Sequence, residues 1–402
     1  MTFHDLSLSP KLLSAVESMG FTVPSPVQQK TIPAALTGRD ILVSAQTGSG
    51  KTAAFLLPII ESLLPKKRGT TRVLVLAPTR ELALQITEHF NDLSAGTSLT
   101  CAAVYGGVGM NPQIAALKKG VDLVVATPGR LLDHMQYHYA NFSSLEYLVF
   151  DEADRMFDMG FLPDMKRILG KLPKERQTMM FSATLPDPII KLARRTLNAP
   201  IRISIDPDTR AAEGISHTIF SVNSHLKMDL LLQILRDEIT GSAIVFTRTK
   251  YRADKVAKFL HKNGVPSERI HGNRSQAQRN KALSGFKQYD FRVLAATDIA
   301  ARGIDVEELQ AVINFDIPNV PEEYIHRVGR TARASAKGEA FSLVAPEEEK
   351  DLRAIERHMK TRLNRKTLES FDYKRRPPRD MKNDRRFEQG GLPRSRQRVR
   401  KK

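Results

Sequence analysis

Ala45-Gln46-Thr47-Gly48-Ser49-Gly50-Lys51-Thr52 follows the apolar run Ile41-Leu42-Val43 and opens a helical pattern. Glycines in a strand-to-helix turn let the backbone curl until successive N–H groups, here those of Gln46 to Thr52, face phosphate oxygens. Lys51 adds a point charge at the β and γ phosphates of a nucleotide, and the Thr52 hydroxyl can join an Mg²⁺ shell. The usual pattern begins with Gly where this chain has Ala45, so the loop alone is incomplete evidence. A second apolar run, 145–150, ends in Asp151-Glu152-Ala153-Asp154. An acidic pair at a strand end completes the chemistry: Asp151 can hold Mg²⁺ through water, and Glu152 can orient or deprotonate an attacking water.

At 402 residues the chain exceeds what one core holds, because single cores stop growing at ~250 to 300 residues. The apolar share of 41% fits a folded chain rather than a disordered one. No apolar run reaches the ~18 residues of a membrane span, and Met1-Thr2-Phe3-His4-Asp5 lacks the pattern of a signal peptide, so a cytoplasmic protein is expected. One cysteine, Cys101, excludes an internal disulfide and a cysteine zinc site. The net charge of +18 favours a polyanionic partner. Ten of those charges fall between Lys374 and Lys402, where thirteen Lys or Arg face three acidic residues.

Short β-rich runs at 41–44, 73–77, 100–105, 121–126, 145–150, 178–181 and 201–205 alternate with helical spacing. Strands without polar alternation, separated by helices, predict a parallel sheet covered on both faces, with active residues on the loops after the strands. The polar segment 207–214 reads as a linker. A second series follows, with strands at 215–222, 243–247, 293–296, 311–316 and 340–344 and helices at 226–236, 253–261 and 278–286. The expected division is 1–206, linker, 215–360, and a basic, largely disordered tail 361–402.

The two motifs sit in a longer ordered set: Gly20-Phe21-Thr22-Val23-Pro24-Ser25-Pro26-Val27-Gln28, Pro78-Thr79-Arg80-Glu81-Leu82, Gly106-Gly107, Thr127-Pro128-Gly129-Arg130, Ser182-Ala183-Thr184, Ile244-Val245-Phe246, Gln276 with Arg279, Ala296-Thr297-Asp298, Arg302-Gly303-Ile304-Asp305 and His326-Arg327-Val328-Gly329-Arg330-Thr331-Ala332-Arg333. Over residues 1 to 360 this resembles the DEAD-box ATP-dependent RNA helicase family. Ala332 stands where most members carry Gly, a change shared with the bacterial RhlE-type subgroup, which this compact chain resembles most.

The resemblance implies two tandem RecA-like domains with ATP and Mg²⁺ between them. It gives Gln28 the adenine edge and Phe3 the adenine face, although Phe3 could instead anchor the N-terminus and Gln28 could face water. It makes Arg330 and Arg333, which with Arg327 stand at fixed spacing on one predicted helix start, arginine fingers reaching the γ phosphate, and Asp305 a ribose contact or, alternatively, a turn residue. Asp154, Ser182, Thr184, His326 and Arg327 would couple the domains, with helix capping the alternative for Ser182 and Thr184. Thr79, Arg80, Gly106, Gly107, Thr127, Gly129, Arg130, Gln276, Arg279 and Thr297 would hold RNA by its backbone. Met156, Phe157, Met159 and Phe161 read as core rather than as a stacking patch. The implied action is local RNA strand separation or remodelling of RNA–protein particles, with ribosomal particles or the RNA-decay machinery as partners. An ATP-switched RNA clamp or annealing factor, with incidental turnover, is the alternative.

Overall fold

The structure is a computed structural model that describes residues 1–46, 48–205, 215–298, 309–331 and 338–376, Glu322 in its backbone only. The expected linker, Thr47, Asp305, Arg333 and the chain from 377 onward lie outside the described residues.

The first half forms seven strands: β1 (Ile41–Ser44), β2 (Val73–Leu76), β3 (Cys101–Val104), β4 (Leu123–Ala126), β5 (Tyr147–Phe150), β6 (Gln177–Ser182) and β7 (Ile201–Ser204). They pair in parallel in the order β3-β4-β2-β5-β6-β1-β7. Alternate residues of each strand supply opposite faces, so both must be apolar where helices cover both. Ile41, Val43, Val73, Val75, Val149, Met179 and Phe181 enter one core, and Leu42, Leu74, Leu76, Leu148, Phe150 and Met180 enter the other. Of the four residues read as core, Met156 is buried in the second core with Phe157 and Phe161 packed against it, while Met159 is half-buried and outside both cores of this half.

The second half repeats the plan with β8 (Ile215–Ser221), β9 (Ala243–Phe246), β10 (Ser267–Ile270), β11 (Val293–Ala296), β12 (Ala311–Asn314), β13 (Gly338–Val344) and β14 (Asn364–Arg365). The order is β10-β11-β9-β12-β13-β8-β14, again parallel. Two tandem sheets flanked by helices are the architecture of paired RecA-like domains. Strand β10 was not expected, because Ser-Glu-Arg-Ile at a sheet edge carries no apolar run.

Two further expectations are corrected. Arg327 and Arg330 were placed at a helix start, but helix Pro321–Val328 ends there: Arg327 is in its last turn and Arg330 lies beyond it. The packed chain also continues past 360, since β14 pairs with β8, Leu368 is buried, and Phe371 and Tyr373 pack on the same core. Burying a leucine contributes about 1.5 to 3 kcal/mol. A chain ending at Lys360 is therefore expected to melt at least several degrees below one ending at Arg376, measured by calorimetry with nucleotide absent.

Candidate functional site

Parallel strands end at one edge, so the loops after β1, β5 and β6 meet there. Gly50 has φ +90°, a left-handed value that suits glycine, and a Cβ would fall 2.6 Å from Gln28 Nε2. Gln28 instead holds this turn: its Nε2 donates to the Gly50 carbonyl at 3.2 Å and its Oε1 accepts from Ser25 N–H at 2.8 Å. Ser25 Oγ donates to the Ser49 carbonyl at 2.7 Å. The buried Gln28 thus ties the predicted adenine-reading element to the phosphate loop. Phe3 is only 4% exposed and belongs to the apolar core, so its ring anchors the N-terminal turn.

Lys51, Asp151 and Glu152 are all buried. Lys51 Nζ donates to the Ala45 carbonyl at 2.7 Å, and burial lowers its pKa against the opposing pull of Asp151 and Glu152. Burial and the adjacent Glu152 charge push Asp151 up to about 7. Glu152 moves the other way: burial opposes ionisation, but Arg155, Lys51 and Arg330 outweigh it and hold the carboxyl below its ordinary value. Its backbone is left-handed, at φ 52°, and its side chain pairs with Arg155. Arg330, buried in the second half, is near enough to act on Glu152 in the first.

Asp151 Oδ1 is buried and has no hydrogen-bond partner. An orphaned, dehydrated carboxylate oxygen is costly unless something cationic or hydrogen-donating meets it. Asp151, with Thr52 at the start of helix Lys51–Leu63, therefore fits an Mg²⁺ with its water shell.

Asp154 is a hub. Its Oδ2 accepts from Ala183 N–H, Thr184 N–H and Thr184 Oγ1 at 3.1, 2.8 and 2.9 Å. Ser182 Oγ accepts from Asp154 N–H at 3.1 Å and donates to the Thr184 carbonyl at 2.6 Å. These bonds join the loops after β5 and β6 within the first half. Arg327 was expected to cross to the other half or to reach the carboxylates near Asp154. Its bonds run instead to Asp298 at 2.6 and 2.8 Å, Asn314 Oδ1 at 3.0 Å and the Asp316 carbonyl at 2.7 Å, all within the second half. Bidentate geometry to Asp298 and a Phe246 ring 5.1 Å away hold it there. His326, half-buried, precedes it on the same helix.

The loops after β2, β3 and β4 form the other sector of this edge. Thr79 caps helix Arg80–Leu93 through Leu82 N–H at 3.3 Å, and Thr127 caps helix Pro128–His134 by position. Gly107 has φ +83°, and a Cβ would lie 2.2 Å from Arg80 Nη1, so the Gly106–Gly107 turn packs against that arginine. Three residues assigned to RNA also bridge the halves: Arg80 Nη1 donates to Gln276 Oε1 at 3.2 Å, Gln276 Nε2 to Glu81 Oε1 at 3.3 Å, and Arg279 pairs with Glu81 at 2.9 Å. Arg130 spends one amine on the Val108 carbonyl at 3.1 Å. Thr297 N–H donates to the Ile270 carbonyl at 3.4 Å after β11, and Gly129 has open space beside its Cα. Glu81 and Arg155 were not singled out from sequence. The signal for Glu81 was its place in the run 78–82, an acid in a helix's first turn.

Residues 25–192 match the DEAD/DEAH box helicase family and 226–335 the helicase conserved C-terminal domain. The chain is 42% identical over 371 residues to the DEAD-box ATP-dependent RNA helicase CshA of Geobacillus kaustophilus, covering 92% of this chain and 79% of the relative. Saccharomyces cerevisiae Dbp5 bound to RNA and ADP BeF3 superposes with a TM-score of 0.83 at 29% identity, over 91% of this chain and 95% of that one. A variant of Dbp5 bound to Nup159, Gle1, IP6 and ADP gives 0.65 at 28% identity, over 89% and 95%. The chain belongs to the DEAD-box ATP-dependent RNA helicases and is an RNA helicase with ATPase activity.

Since Asp151 is raised to about 7, it is protonated below that pH in the metal-free protein and must lose a proton to face a cation. Affinity for Mg²⁺–ADP is expected to rise about tenfold per pH unit below 7 and level off above. Calorimetry in buffers of different ionisation enthalpy should show proton release at pH 6 and none at pH 8.5.

Proposed function

We propose that this protein uses ATP to open short RNA duplexes or remodel RNA–protein complexes, by closing its two halves on nucleotide and RNA together. The observation that carries this is that the charge of Arg330, in the second half, reaches Glu152 in the first and helps to hold it ionised. Alone, the first half holds Lys51, Asp151 and Glu152 but little charge to meet a phosphoryl group in transfer; closure supplies it. The Glu81 bridge to Gln276 and Arg279 favours the same closed arrangement. The higher TM-score against Dbp5 with RNA and ADP BeF3 than against the Dbp5 variant with Nup159, Gle1, IP6 and ADP supports it too.

In this reading Glu152, kept ionised, accepts the proton of the attacking water, and Lys51, Arg330 and Arg333 stabilise charge on the phosphoryl oxygens. Gln28 reads adenine and reports it to Gly50, Asp305 holds the ribose, and main-chain N–H groups of 46–52 cradle the phosphates. Mg²⁺, held through Asp151 and Thr52, would neutralise phosphate charge when bound. Asp154, Ser182 and Thr184 transmit the state of the Glu152 loop to the loop after β6. The sector built from Thr79, Gly106, Gly107, Thr127, Gly129, Arg130 and Thr297 takes RNA backbone, with Arg80, Gln276 and Arg279 closing the two lips. Main-chain and small-residue contacts read backbone shape, so the core has weak sequence preference. The likeness to RhlE-type proteins and a role on ribosomal particles or in RNA decay belong to this proposal, as does a basic tail that raises local RNA concentration.

Intact Glu152 and Arg330 favour turnover over a pure clamp. Glu152→Gln should keep ATP binding and lower steady-state hydrolysis by at least a hundredfold, the scale of a lost general base; unchanged hydrolysis removes Glu152 from the role. Arg330→Ala should leave nucleotide affinity near wild type and lower RNA-stimulated turnover by ~10³ or more. Single-turnover kinetics at saturating RNA separates this from loss of RNA affinity. Multiple-turnover strand separation, with a short RNA duplex in excess over protein, that stops in both variants distinguishes the helicase from the annealing factor.

A further inference from the structure

The Gly106–Gly107 turn is held at both ends, by Arg130 of helix Pro128–His134 and by Gln113 of helix Asn111–Lys119, which His134 braces. Downstream, Arg130 donates to the Val108 carbonyl at 3.1 Å. Upstream, Gln113 Nε2 donates to the Tyr105 carbonyl at 3.0 Å, and Gln113 Oε1 lies 3.1 Å from His134 Nε2. His134 Nδ1 in turn lies 3.0 Å from the Tyr139 hydroxyl. Arg130 and His134 are four residues apart on helix Pro128–His134, so one helical face holds the Val108 carbonyl directly and, through Gln113 of helix Asn111–Lys119, the Tyr105 carbonyl.

The chain of bonds has a fixed sense. An amide that spends its N–H on the Tyr105 carbonyl presents its oxygen to His134, which must then be protonated at Nε2. That leaves Nδ1 as an acceptor for the Tyr139 O–H. His134 has no exposed surface, and burial, aided by the Arg130 charge, lowers its pKa and keeps the ring neutral. Gln113 is 6% exposed. A buried histidine and amide with each polar atom partnered are out of place in a region otherwise filled by Leu117, Leu131 and Leu132, unless their bonds fix something.

We infer that Gln113, His134 and Tyr139 are positioning residues that preset the Gly106–Gly107 turn for the RNA backbone. The relay sets the Tyr105 carbonyl, Arg130 sets the Val108 carbonyl, and Arg80 fills the space beside Gly107, so the turn's N–H groups are aimed before RNA arrives. Preset donors cost less to order on binding than a loose glycine turn does. The inference rests on the RNA-facing reading of this turn.

The test measures RNA-stimulated ATPase against single-stranded RNA concentration, with thermal melting, for Gln113→Leu, Gln113→Glu, Tyr139→Phe and Gly107→Ala. Gln113→Glu keeps the size and the acceptor toward His134 but removes the donor to Tyr105. Both Gln113 variants should raise the half-saturating RNA concentration about tenfold, the effect of one lost hydrogen bond, with the maximal rate within twofold. Tyr139→Phe, which frees the tautomer but leaves the amide, should raise it less. A Gln113→Glu protein that melts normally and shows unchanged half-saturation overturns the relay, as does a maximal rate that falls in parallel. Gly107→Ala, whose Cβ displaces Arg80 as well, separates the premise: if it alone raises half-saturation, the sector of the turn and Arg80 meets RNA and the relay is wrong. If it too changes nothing, the RNA-facing reading fails and the relay's purpose falls with it.

Discussion

Asp151 and Glu152 are neighbours in sequence, both are buried, and two adjacent carboxylates in a dry site cannot both ionise without cations close by. The rest of the site follows from how that charge is met. Lys51, Arg155 and Arg330 favour Glu152, which stays ionised, while Asp151 Oδ1 is left without a partner. One carboxyl is prepared to take a proton and the other to face a cation. A cation contributed by the second half makes the balance depend on the relation between halves, so the fold converts an electrostatic requirement into a requirement for closure.

The parallel sheets make this possible. Because every strand of the first sheet ends at one edge, the loops after β1, β5 and β6 assemble the sector proposed for nucleotide, and those after β2, β3 and β4 assemble an adjacent sector. Glu81 lies in the second sector and bonds Gln276 and Arg279 across the halves. Nucleotide and polyanion can therefore act on the same interface without touching each other. Asp154 links its own loop to the Ser182 loop through an all-local network, while Arg327 braces the second half.

Much of this was legible in the sequence. Central strands such as Val73–Leu76 and Val293–Ala296 are apolar on every residue, because both faces are covered, and they were found within a residue or two. The edge strands β10 and β14 carry charged residues and escaped notice, and Leu368, Phe371 and Tyr373 were lost in a basic context. Motif spacing singled out Lys51, Asp151 and Glu152, which the structure buries, and the family resemblance singled out Arg330, whose charge reaches Glu152. Neither could assign partners: Arg80 lies 196 residues from Gln276, and whether such groups meet each other or RNA depends on tertiary approach. Arg327 shows the same limit, since its partners lie on β11's exit loop, on β12 and two residues beyond it.

The central claim is that nucleotide and RNA together bring the halves into contact. Tyr137 and Tyr251 are exposed, one on each half, and the native cysteine, Cys101, is half-buried, so labels at Tyr137→Cys and Tyr251→Cys can report the distance between halves. Pulsed spin-label distances should be broad for the protein alone, with ATP analogue alone and with single-stranded RNA alone, and should collapse to one short distance with both. A short distance with nucleotide alone, or an unchanged distribution with both ligands bound, would contradict the account.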